Sequence, residues 1–96
     1  MSKVHDLIGI ARRANKLVYG DALHRSIRKQ QPALVVIASD ASLRTTKHLL
    51  SQCDYYMVPY IIVENTGLIS QAIGKANVKA VGINEQGIAK EILKNK

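Results

Sequence analysis

The sequence contains no tryptophan and no phenylalanine, and only four tyrosines. Hydrophobic residues nevertheless make up 47% of the chain, so the core must be built from Ile, Leu, Val and Ala. A surface that stacks single-stranded bases needs exposed rings, and this scarcity of aromatic side chains argues against one. We expect packing or hydroxyl hydrogen bonding from the four tyrosines, which are Tyr19, Tyr55, Tyr56 and Tyr60.

Cysteine and long apolar runs are also scarce. Cys53 is the only cysteine, which excludes an internal disulfide, and we expect it to be a small buried side chain at a helix end. The longest apolar runs, such as residues 34–38, have the length of a strand and not of a membrane span. No segment has the pattern of a signal peptide. These absences predict a cytoplasmic protein that has no membrane partner.

Acidic residues are outnumbered by basic residues, 7 to 14, which gives a formal net charge of +7. Most of this excess lies in the first half. Residues 1–53 hold nine basic and three acidic side chains, a balance of +6, and the remaining residues add only +1. A folded surface with such a charge attracts a polyanion, of which nucleic acid is the commonest.

Helical and extended patterns alternate along the chain. Val4, Leu7, Ile8 and Ala11 have the spacing of one helical face, and four similar segments follow. Residues 34–38 and 60–63 are apolar at every position, which predicts two strands buried on both faces. Gly74 is expected to end the fourth helix and Asn84 to cap the fifth. The strands predicted are Leu17–Tyr19, Leu34–Ala38, Tyr60–Val63 and Lys79–Ile83.

This alternation predicts an α/β protein, a three-layer α/β/α sandwich around a four-stranded mixed sheet. The chain contains no repeat, linker or low-complexity segment. We therefore expect residues 1–96 to form a single domain.

No set of residues for catalysis was found. The stretch from Gly67 to Gly74-Lys75 has six residues between its glycines and Ala76 after the lysine, so it lacks the spacing of a phosphate-binding loop. The histidines and Cys53 do not have the spacing of a zinc finger. Asp40 could act as a general base, but it lies where a strand turns into a helix, and acidic caps are common there. We expect no enzyme activity, no cofactor, no metal and no small-molecule substrate.

Polar and basic groups near predicted helix starts and turns favour a binding role. A helix N-terminus offers free N–H groups and the positive end of the helix dipole, and both suit phosphate. Gly20 and Asp21 open the second predicted helix, and Arg25 lies one turn along it. The candidate RNA-binding residues are Gly20, Asp21, Arg25, Arg28, Lys29, Ser42, Arg44, Asn77, Val78 and Lys79. For any one of the basic residues alone, a solvated helix face is the better explanation.

An ordered series of segments resembles a known family. The series comprises residues 35–40, the Cys-Asp-Tyr-Tyr-Met-Val-Pro-Tyr stretch at 53–60, residues 68–74 and the Gln-Gly pair at 86–87. In order and spacing these segments resemble the kink-turn RNA-binding ribosomal proteins of the archaeal L-seven-Ae type, and in particular their small bacterial YlxQ-like branch. The resemblance covers essentially the whole chain, and it implies that residues 1–96 form a single RNA-binding, ribosomal-protein-like domain.

The resemblance implies an α/β/α sandwich that binds a kink-turn, an RNA duplex bent sharply beside sheared G·A pairs. The bend opens a groove that ordinary duplex RNA keeps too narrow for a helix end. Gly20 matches the family's glycine at that helix end, Asp21 its acidic residue and Arg25 its lysine. Ala22 and Ser42 depart from residues that are common in the family. The loop at residues 76–80 corresponds to the family's apolar contact with the kink.

Together these features predict a non-catalytic, ribosome-associated protein whose partner is a structured RNA, with ribosomal RNA as one candidate. The alternative is a protein-interaction module of the same fold with weak or no RNA specificity. Titrations with a kinked and a straight stem discriminate between the two.

Overall fold

The structure is a computed structural model that describes residues 3–64, 66–75 and 78–95. Helices and strands alternate along the chain. In chain order they are α1 (Lys3–Arg13), β1 (Leu17–Val18), α2 (Asp21–Arg28), β2 (Leu34–Ala38), α3 (Leu43–Tyr56), β3 (Tyr60–Val63), α4 (Thr66–Ile73), β4 (Ala80–Ile83) and α5 (Gln86–Asn95).

The four strands form one mixed sheet in the order β1-β4-β2-β3. β2 and β3 are parallel, with Val36 opposite Ile61. β4 is antiparallel to both of its neighbours, with Leu17 opposite Ile83 on one side and Val36 opposite Val81 on the other. The chain direction is therefore the same in β1, β2 and β3 and reversed in β4.

Helices cover both faces of this sheet. Alternate residues of a strand point to opposite faces. Leu34, Val36 and Ala38 pack in one cluster with residues of α1, α4 and α5. Val35 and Ile37 pack in a second cluster with residues of α2 and α3. The predicted three-layer α/β/α sandwich around a mixed four-stranded sheet is confirmed.

Strand β2 is buried at all of its five positions, as predicted. The prediction that Tyr60–Val63 would be buried on both faces was wrong. β3 lies at the edge of the sheet, where Tyr60 and Ile62 are 37% and 52% exposed. Both residues stand beside Val35 and Ile37 on the face that α2 and α3 cover, so these helices leave the outer part of β3 open.

Of the two predicted helix boundaries, the one at Gly74 is confirmed and the one at Asn84 is not. Gly74 has φ +70° and donates from its N–H to the Ser70 carbonyl, so it does end α4. The prediction that Asn84 caps the fifth helix was wrong. Glu85 caps it, because its carboxylate accepts hydrogen bonds from the N–H groups of Gly87 at 2.8 Å and Ile88 at 2.7 Å.

The two N–H groups that donate to Glu85 stabilise the charged form of its carboxylate. Hydrogen bonds from Ile88 and then Gly87, with a smaller contribution from the charge of Lys16, lower the pKa of Glu85 from its usual value. The side chain of Asn84 instead reaches Ser26 of α2, with Nδ2 lying 3.5 Å from Oγ.

In the described part of the chain, no helix is both long and apolar enough to cross a bilayer.

Candidate RNA interface

The connecting loops gather at the two ends of the strands, and not along the outer strands β1 and β3. We name the end at which β1, β2 and β3 finish and β4 begins the upper edge, and the opposite end the lower edge. Helices α2 and α3 start just after β1 and β2, so both present their N-termini at the upper edge. Val78 and Lys79 precede β4 and lie at the same edge. Three segments far apart in sequence therefore meet there.

Helix α2 begins at Gly20 without a side-chain cap from any described residue. Gly20 has φ 64° and ψ −141°, a conformation that is open to glycine and strained for other residues. A Cβ atom there would meet nothing within 4 Å, so the glycine serves the backbone conformation and not a close contact. Its carbonyl accepts from the N–H of Leu23 at 3.0 Å, and Asp21 is exposed beside it. The start of α2 is thus open to a ligand.

Helix α3 begins differently. The Oγ atom of Ser42 accepts a hydrogen bond from the backbone N–H of Thr45 at 3.1 Å and donates to the Thr45 hydroxyl at 2.9 Å. Ser42 is therefore the N-cap of α3, and its hydroxyl is occupied by that role. Arg44 is exposed and, with Thr45 and His48, borders a shallow depression on the outside of α3.

The segment before β4 is joined to the turn after β2. Lys79 places its Nζ 3.7 Å from Oδ2 of Asp40, and its carbonyl accepts from the N–H of Ala38 at 2.8 Å. Val78 is half-buried and packs against the cluster that α1, α4 and α5 cover. Asn77, also predicted to bind RNA, lies outside the described residues. The Asp40 carboxylate takes part in this ion pair.

An open cleft of about 300 Å³ lies where these segments meet. Three of the residues predicted to bind RNA line it, namely Gly20, Val78 and Lys79. Tyr19, which was expected to pack and not to stack on bases, also lines the cleft. The remaining lining residues were not predicted to bind RNA, and they are Leu23, His24, Thr45, Leu49 and Ala80. Thr45 and Leu49 stand at i and i+4 on α3, a spacing that identifies its inner face.

His24 is the polar side chain of α2 that faces α3. Its Nδ1 lies 2.8 Å from Oε1 of Gln52, and its ring centroid lies 5.2 Å from that of His48. The contact between α2 and α3 is therefore polar near the cleft, while Leu23 and Leu49 make it apolar on the side of the sheet. The cleft accordingly has an apolar floor and a polar rim.

The basic residues of α2 are spread along the helix and do not gather at its start. Arg25 is exposed five positions after Gly20 and belongs, with Arg28, to the last turn of α2. Arg28 and Lys29 are exposed at the end of the helix, at the lower edge of the sheet. With a rise of 1.5 Å per residue, the two ends of this 8-residue helix lie about 12 Å apart. Arg25 therefore lies between the two edges and does not line the cleft, whereas Arg28 and Lys29 lie at the lower edge.

Cys53 lies in the last turns of α3 and is 1% exposed. Burial, and to a lesser extent the charge of Asp54, raises the pKa of its thiol to about 11. A thiol with so high a pKa is a poor nucleophile at neutral pH. The structure agrees with the expectation of a small buried side chain.

Comparisons with known proteins identify the family to which this architecture belongs. The sequence profile of the ribosomal protein L7Ae/L30e/S12e/Gadd45 family matches residues 2–93. The chain belongs to this family.

Two curated relatives are bacterial proteins. The chain is 38% identical over 88 residues to the RNA-binding protein YlxQ of Bacillus subtilis (strain 168), which covers 91% of this chain and 88% of that protein. It is 39% identical over 90 residues to the RNA-binding protein YlxQ of Enterococcus faecium, with 93% and 86% covered. The predicted resemblance to a YlxQ-like branch is confirmed. Both relatives are named for binding RNA.

Solved structures show the same fold. A protein with unknown function from Bacillus halodurans superposes with a TM-score of 0.90 at 30% identity, covering 98% of this chain and 96% of that one. The Giardia lamblia 15.5kD RNA binding protein superposes with a TM-score of 0.81 at 19% identity, covering 96% and 83%. At the latter identity the likeness concerns the fold alone.

Proposed function

We propose that this protein binds a structured RNA of the kink-turn type at the upper edge of its sheet and acts in association with the ribosome. One observation carries the proposal: the start of α2, the start of α3 and the segment before β4 surround a single cleft. Membership of a ribosomal-protein family, and the names of the two curated relatives, support RNA as the ligand. We propose residues 1–96 as one binding domain that works in the cytoplasm.

Each part of the edge has a role in the proposal. The open N-terminus of α2 enters the groove that the kink widens, and its N–H groups and dipole attract phosphate. Arg25, one turn along, reads a guanine edge, because its planar guanidinium matches two acceptors. Asp21 accepts from base amino groups. Arg44 of α3 contacts backbone phosphate, and Ser42 positions the start of that helix.

Val78 and Lys79 complete the site from the other side of the cleft. Val78 supplies an apolar contact to the splayed bases of the kink, and Lys79 a cation whose charge is shared with Asp40. Phosphate contacts alone do not distinguish a kinked from a straight duplex, whereas an apolar contact matched to the kink does. We assign the preference for kinked RNA to this segment together with Arg25, and Asn77 to the same loop.

The test is a pair of filter-binding titrations with a kinked stem and a straight stem of the same length and composition, repeated over a range of salt. Tighter binding of the kinked stem is expected. With about three to five phosphate contacts, log affinity should fall against log salt with a slope of roughly −2 to −4. Equal affinity for both stems would contradict kink recognition. A flat salt response would contradict RNA binding and favour the protein-interaction module.

A further inference from the structure

The positive charge of the first half of the chain is divided between the two edges of the sheet. α1 leads into the start of β1, and α2 leads into the start of β2, so both helices end at the lower edge. Four exposed cations lie there, whereas the guanidinium of Arg13 turns back along α1 towards Gly9 and α4. This lower-edge cluster consists of Arg12, Lys16, Arg28 and Lys29.

Hydrogen bonds join the two halves of the lower-edge cluster. The carbonyl of Lys16 accepts from the N–H of Asn84 at 2.7 Å, and the side chain of Asn84 reaches Ser26 of α2. The carbonyl of Ser26 in turn accepts from the N–H of Gln31 at 3.0 Å, just beyond Lys29. The turn before β1 and the end of α2 are therefore linked through Asn84.

Little negative charge opposes these cations. Among residues 3–64, 66–75 and 78–95, none of the four forms an ion pair within 4.0 Å, although the charge of Lys16 acts on Glu85 from further away. The acidic residues at this edge are Asp54, near the end of α3, and Glu85, whose carboxylate is held by the N–H groups that begin α5. Cations are stabilised near helix C-termini, but like charges at one edge also repel one another. A bound polyanion would offset that repulsion.

The cluster is too far from the upper edge to serve it through space. About 12 Å separates the two ends of α2. The Debye length is about 8 Å at physiological ionic strength, so charge at one edge is largely screened at the other. Phosphates gain from the lower-edge cluster only by contacting it directly.

We propose that the lower-edge cluster is a second RNA-binding surface, which contacts the phosphates of duplex RNA while the upper edge holds the kinked RNA. This inference rests on the proposed function for the nature of its ligand. None of the side chains of the cluster lines the cavity of about 320 Å³ that lies beside the starts of β2, β3 and α5. Exposed lysine and arginine side chains outside a cleft suit phosphates and not bases. Two sources of duplex are compatible with this chemistry: a distant arm of the kinked RNA or a second RNA molecule.

The test compares the double variant Arg28→Gln/Lys29→Gln with a control that removes the same charge elsewhere, Lys3→Gln/Lys94→Gln. All four side chains are exposed, so both variants should melt like the native protein. Protein saturated with a short kinked stem is titrated with a labelled straight duplex, and kinked stems with short and long arms are compared. The probes are these RNAs and, separately, phosphatidylserine vesicles.

We expect either a ternary complex with the straight duplex or tighter binding of the long-armed stem, and we expect the double variant, but not the control, to lose it. The first result identifies a second RNA and the second an arm of the same RNA. The magnitude of the salt slope for the straight duplex should fall by about two. Equal behaviour of variant and control would overturn the proposal. So would vesicle binding that the variant loses, without any duplex binding.

This experiment also separates the two proposals. Equal affinity of native protein for kinked and straight stems contradicts the function proposed for the upper edge, yet leaves the comparison of variant with control on the straight duplex intact. A retained preference for the kinked stem, with no effect of Arg28→Gln/Lys29→Gln, contradicts the second surface alone.

Discussion

Gly20→Ala tests whether the opening of α2 depends on backbone conformation. Gly20 and Met57 have nearly the same φ, 64° and 59°, but their ψ angles are −141° and 41°. Met57 lies in the left-handed helical region, which residues other than glycine tolerate at modest cost. Gly20 lies outside it, in a region that is nearly restricted to glycine. An alanine at position 20 is therefore strained even though its methyl group has room.

The magnitude follows from that strain. A residue held in a sparsely populated backbone region costs about 1–3 kcal/mol. For a domain of this size each kcal/mol lowers the melting temperature by about 4–8 °C. Gly20→Ala should therefore melt roughly 5–20 °C below the native protein. If the backbone relaxes to avoid the strain, the first N–H groups of α2 move, and affinity for the kinked stem falls as well.

Gly74→Ala is the matched control for this change. Gly74 also borders a helix, also has a positive φ, and also leaves open space for a Cβ atom, but it does not line the upper-edge cleft. Its replacement should lower the melting temperature without changing the preference for kinked RNA. The assays are thermal unfolding and paired titrations below the lower melting temperature. An unchanged melting temperature in Gly20→Ala would refute the argument from φ and ψ.

Three further predictions concern single side chains. Arg25→Ala should cost about 1–3 kcal/mol of binding to the kinked stem and reduce its preference over the straight stem, whereas Lys94→Ala should change neither; equal losses in the two titrations would remove Arg25 from the site. Val78→Asp should leave the protein folded and abolish most of the preference for kinked RNA, and a large fall in melting temperature would instead assign Val78 to the core. Cys53 should react with iodoacetamide at pH 8 far more slowly in native than in unfolded protein, because the folded thiol, with a pKa of about 11, is almost entirely protonated there; equal rates would contradict its burial.

The sequence predicted the elements of the fold better than their order in the sheet. Residues 34–38 and 60–63 are equally apolar, and both were expected to be buried on both faces. Only β2 is, because β4 and β3 flank it on either side. β3 lies at an edge, and the partners of a strand are decided by pairing between distant segments, which local periodicity does not report. The exposed Ile62 is the consequence.

The N-cap of α5 was also mispredicted, because a contact between distant residues competes with local preference. Asn84 and Glu85 are adjacent, and asparagine is the commoner N-cap residue. The longer side chain of Glu85 reaches back to two N–H groups of α5, while Asn84 is drawn to Ser26, 58 positions earlier in the chain. A contact across the sheet thus decided which of two neighbouring residues caps the helix. Ser42, by contrast, could be recognised as a cap from its position alone.

Basic residues that are close together in the sequence lie on different surfaces of the folded protein. Counting along the chain suggested one basic face, since residues 1–53 carry +6. A helix that follows one parallel strand and precedes the next runs from the upper to the lower edge, and its first and last turns therefore belong to different surfaces. Arg25 and Arg28 are only three positions apart, yet Arg28 ends the helix at the edge away from the cleft. The same reversal of β4 that brings Val78 and Lys79 to the start of α2 carries Asn84 to the lower edge, beside Lys16. One antiparallel strand among three that share a direction thus completes the upper-edge cleft and, at its other end, joins the two halves of the lower-edge cluster.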